Sequence, residues 1–367
     1  MRIVHVASRL AGTATGAPSA VSELARAQAR LSSGRVQVAA AGAEARRTGL
    51  DELELRTFPC DRPGCFGRSA ALRHHLANCP LEIVHAHCLG ERGLHYAYLA
   101  AQRNGAPLIV SPALMLGLGP GDHLRLRCLF HRLLVHPRAL ENAAGWHATC
   151  TEEAEAIRAC GFRQPVCIAP PGIAPPSAES LARGREHWLQ RFPALAERRV
   201  VLAAGPASRL RGLVELWSEA AGAEWTLLIV APEASADRGT LAALARGSEA
   251  GGRILVTTDS APPPHGLARL FLGLGRTAGG IDPVAQALAA GLPALVSDDT
   301  AWSRIEPDNA GWCVPWRDFG GALRRVLALG PEALAERGAQ ARELVRREFA
   351  WPRTAGLLLA FYRNLRR

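Results

Sequence analysis

The sequence has 367 residues, a length that favours two α/β domains because it exceeds what one ordinary hydrophobic core accommodates. A composition of 48% hydrophobic and 21% charged residues is typical of a globular protein and excludes a disordered one. The net charge is +10, and all 43 cationic residues are arginine, which excludes a P-loop lysine and a lysine Schiff base. The arginines are scattered along the chain and only 5% of the residues are aromatic, which argues against a nucleic-acid partner.

The start of the chain is predicted to form a βαβ unit. The pattern predicts a strand at Ile3–Ala7, a small-residue loop over 12–18, a helix over 21–31 and a strand over 36–40. The first strand is too short and too polar for a secretory leader, and nine cysteines, an odd number, favour reduced thiols. We therefore expect a cytoplasmic protein.

Several cysteines and histidines in the first half raise the question of a zinc site. They are Cys60, Cys65, His74, His75 and Cys79. Residues 57–68 are predicted to be a loop from their proline and glycine content, whereas the two histidines fall on a predicted helix. Because this spacing fits no standard zinc knuckle, the sequence predicts no metal at this position.

Two predicted strands of the first half end in polar side chains. Residues 82–87 form a strand that ends in His87 and precedes a helix over 92–103, and residues 107–110 form a strand that Ser111 follows. Ligands bind at the carboxyl ends of parallel strands, so His87 is a candidate binding residue. The alternative is a histidine whose hydrogen bonds are satisfied by a neighbouring backbone group.

A helix predicted over residues 123–135 carries an apolar stripe, which consists of Leu126, Leu129, Phe130, Leu133 and Leu134. Such a face could lie against anionic lipid. More often it is the inward face of a domain helix, which is the interpretation we favour. No apolar run approaches the roughly 20 residues needed to span a bilayer. The sequence therefore leaves peripheral membrane contact open and predicts no spanning helix.

The second half continues the alternation of strands and helices. Strands are predicted over 199–204, 225–231 and 254–257. The glycine turn over 205–212, which contains Arg209 and Arg211, leads into a helix that ends near residue 221, and further helices are predicted over 239–245, 319–329, 331–347 and 353–367. Amide groups at a helix start attract phosphate oxygens, and guanidinium groups add donors to such a site. The alternative is a pair of solvated loop arginines.

Residues 273–298 predict a glycine turn, a short helix, a sharp stop and a buried strand. Asp282 is placed to cap the helix and Pro283 suits its first turn, while Gly291 ends it before a strand over 294–297. This arrangement is typical of a ligand-binding corner. An ordinary unit of a doubly wound sheet is the alternative.

Three motifs in and after this corner carry a family resemblance. They are Gln286-Ala-Leu-Ala-Ala-Gly-Leu-Pro, Thr300-Ala-Trp302 and Asn309-Ala-Gly-Trp312. Together they resemble the C-terminal signature of family 4 glycosyltransferases, and residues 146–162 resemble a bacterial polysaccharide subgroup of that family. The resemblance covers nearly the whole chain.

The resemblance implies the GT-B fold, an α/β fold of two doubly wound, Rossmann-like domains with an interdomain cleft. The implied domains are an acceptor-side domain over residues 1–168, a donor nucleotide-sugar-binding domain over 169–348, and a terminal helix over 349–367 that packs back on the first domain.

The resemblance also implies an activity and a set of site residues. Members transfer a sugar from a nucleotide sugar to a glycan or lipid-linked acceptor in cell-surface polysaccharide biosynthesis, with retention of configuration and without metal or other cofactor. Matched by position, the acceptor side has Gly16, His87 and Ser111. The donor side has Gly205, Arg209, Arg211, Gly212, Gly279, Gly280 and Gln286. Arg211 and His87 are the implied catalytic residues.

Four donor-site positions depart from the family pattern. Pro206 stands where the family has arginine, Arg211 stands for a lysine, and Ala278 and Gln286 stand for two glutamates. Gln286 keeps one uncharged acceptor, a loss of about 1–2 kcal/mol against a carboxylate. Two hypotheses follow: an active glycosyltransferase, or a catalytically inactive GT-B protein that serves as partner or regulator of a glycan-assembly complex.

Overall fold

The computed structural model describes two compact units. It covers residues 1–7, 20–42, 45–50, 53–61, 67–87, 89, 91–112, 137–230, 238–257, 262–275, 282–300 and 302–366. The first unit comprises Met1–Gly172 together with Phe349–Arg367, and the second comprises Ile173–Glu348. The chain therefore leaves the first unit after Gly172 and returns to it for its last helix.

The first unit contains an eight-stranded sheet. Its strands are β1 (Ile3–Ala7), β2 (Val36–Gly42), β3 (Arg46–Leu50), β4 (Leu53–Pro59), β5 (Ile83–Ala86), β6 (Leu108–Val110), β7 (Gly145–Ala148) and β8 (Val166–Ile168). They lie in the order β3-β4-β2-β1-β5-β6-β7-β8. All neighbours are parallel except β3 and β4. The described helices before the crossing are α1 (Ala20–Leu31), α2 (Ala70–Asn78), α3 (Arg92–Asn104), α4 (Pro137–Glu141) and α5 (Thr151–Ala159).

The second unit contains a six-stranded, wholly parallel sheet. Its strands are β9 (Arg199–Ala204), β10 (Trp225–Val230), β11 (Ile254–Thr257), β12 (Ala268–Gly273), β13 (Ala294–Ser297) and β14 (Gly311–Val314), in the order β11-β10-β9-β12-β13-β14. Its described helices are α6 (Ala178–Arg191), α7 (Ala207–Ala220), α8 (Arg238–Gly247), α9 (Pro283–Ala289), α10 (Phe319–Leu327) and α11 (Pro331–Glu348). The last helix, α12 (Trp351–Leu365), belongs to the first unit.

Helix α12 is held to the first unit by apolar packing against α1. Leu358, Leu359 and Tyr362 are buried in one cluster with Leu24 of α1 and Ile3 of β1. Fully burying one such side chain stabilises the fold by about 1.5–3 kcal/mol. The break before α12, at Phe349 and Ala350, was predicted from the sequence and is observed. The packing explains why the chain returns to the first unit.

The core of the second unit is built on large aromatic side chains. Trp217 of α7, Trp225 of β10 and Phe319 of α10 are fully buried and belong to one cluster. Strands of a parallel sheet are covered by helices on both faces, so they are near-continuous apolar runs. This pattern is why β9 and β11 have the bounds that the sequence predicted.

Two features differ from the sequence-based expectations. Residues 57–59 were predicted to be loop but complete β4, where Phe58 packs against the core and Pro59 occupies the last position, which a strand tolerates. Cys160 is disulfide-bonded, contrary to the expectation of reduced thiols. The free thiols among the described cysteines are Cys60, Cys79, Cys150, Cys167 and Cys313.

The predicted helix over 123–135, with its candidate membrane face, lies outside the described residues. None of the described helices is both long enough and apolar enough to cross a bilayer.

Candidate functional site

Four histidines from three strands converge in the first unit. His5 lies on β1, His85 on β5, His87 directly after β5, and His147 on β7. Ring centroids are 4.0 Å apart for His85 and His87, 5.1 Å for His5 and His87, and 5.2 Å for His85 and His147. We call these four residues the histidine cluster. It lies toward the carboxyl ends of the central strands, where parallel sheets bind ligands.

Hydrogen bonds tie the histidine cluster to α1 and α12. His5 Nδ1 lies 2.9 Å from His87 Nε2, and His5 Nε2 lies 2.7 Å from the Gln28 Oε1 acceptor. Gln28 Nε2 donates to the Tyr362 hydroxyl over 3.3 Å, and that hydroxyl is 2.6 Å from His85 Nδ1. His87 is thus connected through side chains to both helices that cover this part of the sheet.

Burial determines the charge of the histidine cluster. It lowers the pKa of His5 to about 4, where the hydrogen bond to Gln28 opposes it and the neighbouring His147 adds to it. It also holds the pKa of His85 and of His87 well below the ordinary histidine value, and the neighbouring histidines lower them further. The pKa of His147 is lowered by burial despite its hydrogen bond to the Ala169 carbonyl. These rings are therefore neutral near pH 7.

The predicted acceptor-side residues occupy adjacent strand ends. His87 is half-buried after β5, and Ser111 is buried after β6, with its backbone N–H donating to the Ala86 carbonyl over 2.8 Å. Because β5 and β6 are paired, the two residues share one edge of the sheet. Gly16, the third predicted residue, lies outside the described residues. Sequence reasoning missed His5 and His147, although each stands in an otherwise apolar strand, which is the available signal.

The cysteine–histidine set considered for zinc does not converge in the described part of the chain. His75 Nε2 lies 3.4 Å from Cys79 Sγ, while His74 bonds to the Asn78 amide on the same helix. Cys65 lies outside the described residues. Among those described, the group with metal-ligand spacing is His5, His85 and His87.

The second candidate region is the carboxyl-terminal edge of the second sheet, where β9, β12 and β13 end side by side. Gly205 follows β9, and a Cβ there would lie 2.4 Å from the Leu274 carbonyl oxygen after β12. Only glycine allows the two strand ends to approach so closely. Pro206 then precedes α7 without any side-chain cap, so the first amides of that helix are not occupied by a capping side chain.

Arg209 is held at this edge by two partners. Its Nη2 donates to Asp299 Oδ2 over 3.0 Å, and its guanidinium carbon lies 4.7 Å from the centre of the Trp316 ring. Its side chain remains 30% exposed. Trp316 also covers Gly212, where a Cβ would lie 2.9 Å from the ring. The predicted donor residues Gly205, Arg209 and Gly212 therefore belong to one turn-and-helix region.

Asp299 is the acidic partner at the same edge. Burial works to raise the pKa of Asp299, but the hydrogen bond from the Ser297 hydroxyl and the charge of Arg209 outweigh it and leave the pKa below its usual value. The Ser297 hydroxyl also accepts from the Gly275 N–H over 2.8 Å. The hydrogen bonds of Ser297 therefore hold Asp299 in position after β13 for its ion pair with Arg209.

The other predicted donor residues are divided between described and undescribed segments. Arg211 is half-buried on α7, two residues beyond Arg209, and Gln286 is half-buried on α9. Gly279 and Gly280, together with Ala278, lie outside the described residues. The roles of Arg211 and Gln286 remain predictions.

The predicted cap of α9 is confirmed. Asp282 is the N-cap residue, and its Oδ1 accepts from the Val284 N–H over 2.8 Å while Pro283 occupies the first turn. The other carboxylate oxygen accepts from Trp302 Nε1 over 2.6 Å. Gly291, with φ of 83°, ends the helix before β13, as predicted. The carboxylate of Asp282 thus links the start of α9 to Trp302, the tryptophan of the motif Thr300-Ala-Trp302.

We expect Asp282→Ala to lower the free energy of unfolding by about 1–2 kcal/mol, because it removes the cap and the acceptor for Trp302. Chemical denaturation of the purified chain measures the change. Asp282→Asn is the matched control, since an amide oxygen can cap the helix, and it should cost less. Equal losses for the two variants would contradict the capping role.

Comparison with known proteins finds a family model that matches part of the first unit and solved structures that share the fold of the whole chain. Residues 15–172 match the model of a glycosyl transferase 4-like domain, which covers most of the first unit. A sequence search among curated proteins found no significant match.

Several solved structures resemble the whole chain. Sucrose-phosphate synthase from Thermosynechococcus elongatus has a TM-score of 0.69 at 17% identity, covering 99% of this chain and 98% of its own. HepE from Anabaena, in complex with UDP, has a TM-score of 0.69 at 11% identity, with 99% and 100% covered. The UDP-forming trehalose-phosphate synthase from Burkholderia vietnamiensis has a TM-score of 0.69 at 13% identity, with 99% and 100% covered.

At these identities the structural likeness establishes the fold, and it confirms the predicted class of two parallel α/β sheets surrounded by helices. The family model matches residues 15–172, which is less than half of the chain. The chain therefore has the GT-B fold, and its residues 15–172 are similar to a glycosyl transferase 4-like domain.

Proposed function

We propose that this chain transfers a sugar from a nucleotide-sugar donor to a glycan or lipid-linked acceptor. The observation that carries the proposal is the edge of the second sheet, where the Gly205 turn, the uncapped start of α7 and the guanidinium of Arg209 lie together. Amide groups at a helix start and a planar guanidinium are both donors to phosphate oxygens. This chemistry suits a nucleoside diphosphate.

The chemistry requires stabilisation of the diphosphate as it leaves the sugar. Negative charge grows on the leaving oxygen, so preorganised donors at that position lower the barrier. Arg209 and Arg211 would supply this charge, and no step of the proposed transfer needs a metal ion or other cofactor. We further propose retention of configuration, as the family resemblance implies.

The acceptor would contact the first unit. His87 and Ser111 share the edge formed by β5 and β6, and the neutral ring of His87 can hydrogen-bond a sugar hydroxyl. We propose a glycan or a lipid-linked glycan as the acceptor and a role in cell-surface polysaccharide biosynthesis. The proposal also includes a cytoplasmic location and peripheral contact with the inner face of the membrane.

UDP-sugars are the first donors to test. HepE has been solved with UDP and with UDP-glucose, and the trehalose-phosphate synthase is described as UDP-forming. These statements concern those proteins, and they set the order of the trials here.

A second candidate function is a catalytically inactive partner or regulator of a glycan-assembly complex. The observation that favours it is the replacement of both family glutamates, with Ala278 and Gln286 in their places. Such a protein would bind a nucleotide and not consume it.

Release of nucleoside diphosphate distinguishes the two functions. The purified chain is incubated with UDP-, GDP- and ADP-sugars, with water or a small oligosaccharide as acceptor, and free diphosphate is followed by chromatography. An active transferase releases diphosphate from at least one donor faster than the protein-free control, and Arg209→Ala slows the release. Binding of a donor without release above the control supports the inactive partner. If the chain neither binds a nucleotide sugar nor releases diphosphate from it, both proposals are overturned.

A further inference from the structure

We propose that the first unit binds a divalent transition-metal ion through ring nitrogens of His5, His85 and His87. Each of these residues offers one ring nitrogen, and the three atoms lie within 4.8 Å of one another. His5 Nδ1 and His87 Nε2 are 2.9 Å apart. An ion with bonds of about 2.0–2.1 Å to imidazole nitrogen fits among such atoms after small side-chain movements. The site is independent of the donor site proposed above and adds a function to it.

An unexplained buried atom points to an occupant at this position. His85 is fully buried, and its Nε2 has no hydrogen-bond partner among the described residues. His147 Nδ1, on the neighbouring ring, is also buried and has no hydrogen-bond partner among the described residues. Leaving one buried polar atom unsatisfied costs about 1–3 kcal/mol, so native structures fill such positions with protein, water or an ion.

The partners on the other ring nitrogens are those that metal-binding histidines use. Gln28 Oε1 is an acceptor, so His5 Nε2 carries the proton and His5 Nδ1 keeps its lone pair. When His85 Nδ1 donates to the Tyr362 hydroxyl, His85 Nε2 keeps its lone pair as well. Histidines that bind metals almost always donate their second N–H to a fixed acceptor, which sets the ring orientation and the tautomer.

The third ring requires one rearrangement. His87 Nε2 currently donates to the lone pair of His5 Nδ1, since that is the arrangement consistent with the Gln28 bond. Binding of an ion would replace this hydrogen bond, and His87 would carry its proton on Nδ1 instead. His147 Nε2 donates to the Ala169 carbonyl over 2.8 Å, so its Nδ1 offers a further lone pair beside His85.

The ligand set selects the class of ion. Imidazole nitrogen suits zinc, copper, nickel and cobalt, whereas magnesium and calcium require carboxylate and carbonyl oxygens. The proposed ligands are all imidazoles. Three protein ligands with one remaining position are typical of zinc sites that keep an exchangeable ligand. A bound ion would fix the ring of His87 at the strand edge.

The test is a titration of the untagged, full-length chain with Co²⁺ and Zn²⁺ after removal of metal by a chelator. Visible absorption reports Co²⁺ coordination, elemental analysis gives the stoichiometry, and a thermal melt reports stabilisation. We expect about one ion per chain, a Co²⁺ spectrum with no thiolate charge-transfer band and a higher melting temperature with metal.

Two variants distinguish this site from other metal-binding residues. His85→Gln removes one ligand and should weaken binding by about 100-fold or more, since loss of an outer-shell partner alone costs 10–100-fold. His75→Gln is the matched control, because His75 lies on α2 and forms the competing pair with Cys79, the residue that follows this helix. The His75→Gln chain should bind the ion as the unaltered chain does. Tyr362→Phe keeps all three ligands and should weaken binding by about 10-fold or more.

Each other outcome overturns the proposal. Absence of binding and of any thermal shift in the unaltered chain means that no metal ion occupies the position beside His85. Unchanged binding by His85→Gln, or loss of binding in His75→Gln, places the ion elsewhere. A melt of metal-free His85→Gln verifies that the variant is folded. If it is not, His5→Asn replaces it and must weaken binding similarly.

Discussion

Arg209→Ala should weaken the binding of a nucleoside diphosphate by about 10- to 100-fold. A hydrogen bond to a charged group contributes about 1.5–3 kcal/mol, and Arg209 lies in the first turn of α7, where the diphosphate is proposed to bind. Calorimetric titration with UDP, and with GDP and ADP, measures the change. The effect should appear in affinity, because the side chain contributes little to the core.

Two further variants test whether an effect of Arg209→Ala is specific to the donor site. Asp299→Asn should tighten binding, because Asp299 now pairs with Arg209 and would repel a diphosphate. Arg346→Ala is the matched control, since Arg346 is an exposed arginine of the same unit that pairs with Glu343 on α11. An Arg209→Ala chain that binds as tightly as the Arg346→Ala chain would remove Arg209 from the donor site.

Gly205→Ala should lower the free energy of unfolding by about 1–3 kcal/mol, the usual cost of forcing extra atoms into a packed region. The new Cβ would lie 2.4 Å from the Leu274 carbonyl oxygen, a backbone atom that cannot move without separating β9 from β12. The same displacement would shift the start of α7, so diphosphate affinity should fall with stability. A thermal melt with and without nucleotide measures both effects.

Gly239→Ala serves as the comparison for this substitution. Gly239 lies on α8, and a Cβ there meets no atom within 4 Å. Alanine is favoured over glycine in a helix by roughly 0.8–1.0 kcal/mol, so this variant should melt at or above the temperature of the unaltered chain. If Gly205→Ala melted at the same temperature as Gly239→Ala, the close approach at Gly205 would have no energetic consequence.

Much of the fold was predictable because apolar runs and turn residues fix local structure. The strands β1, β9 and β11 have their predicted bounds, and Asp282 caps α9 as its position before a proline indicates. The edge hairpin of β3 and β4 was not predicted, because its residues are only partly apolar and their pairing decides the conformation. Strand β12 was not predicted either.

The candidate sites were less predictable because their residues meet only in three dimensions. His5 and His147 look like isolated histidines in apolar strands, and only the strand order brings them beside His85. Likewise the pairing of Arg209 with Asp299 joins two strand ends from distant parts of the sequence. Composition could not show which arginine is held in place by a carboxylate and a tryptophan ring, as Arg209 is.

A thermal-shift panel of UDP-, GDP- and ADP-sugars tests most directly whether the second unit binds a nucleotide sugar. A ligand that binds the folded chain stabilises it by RT ln(1 + [L]/Kd), which is about 2.7 kcal/mol at a ligand concentration of 100 Kd. The account predicts a rise of several degrees with at least one nucleotide sugar, and a smaller rise in the Arg209→Ala chain. An unchanged melting temperature with every nucleotide at millimolar concentration would contradict it.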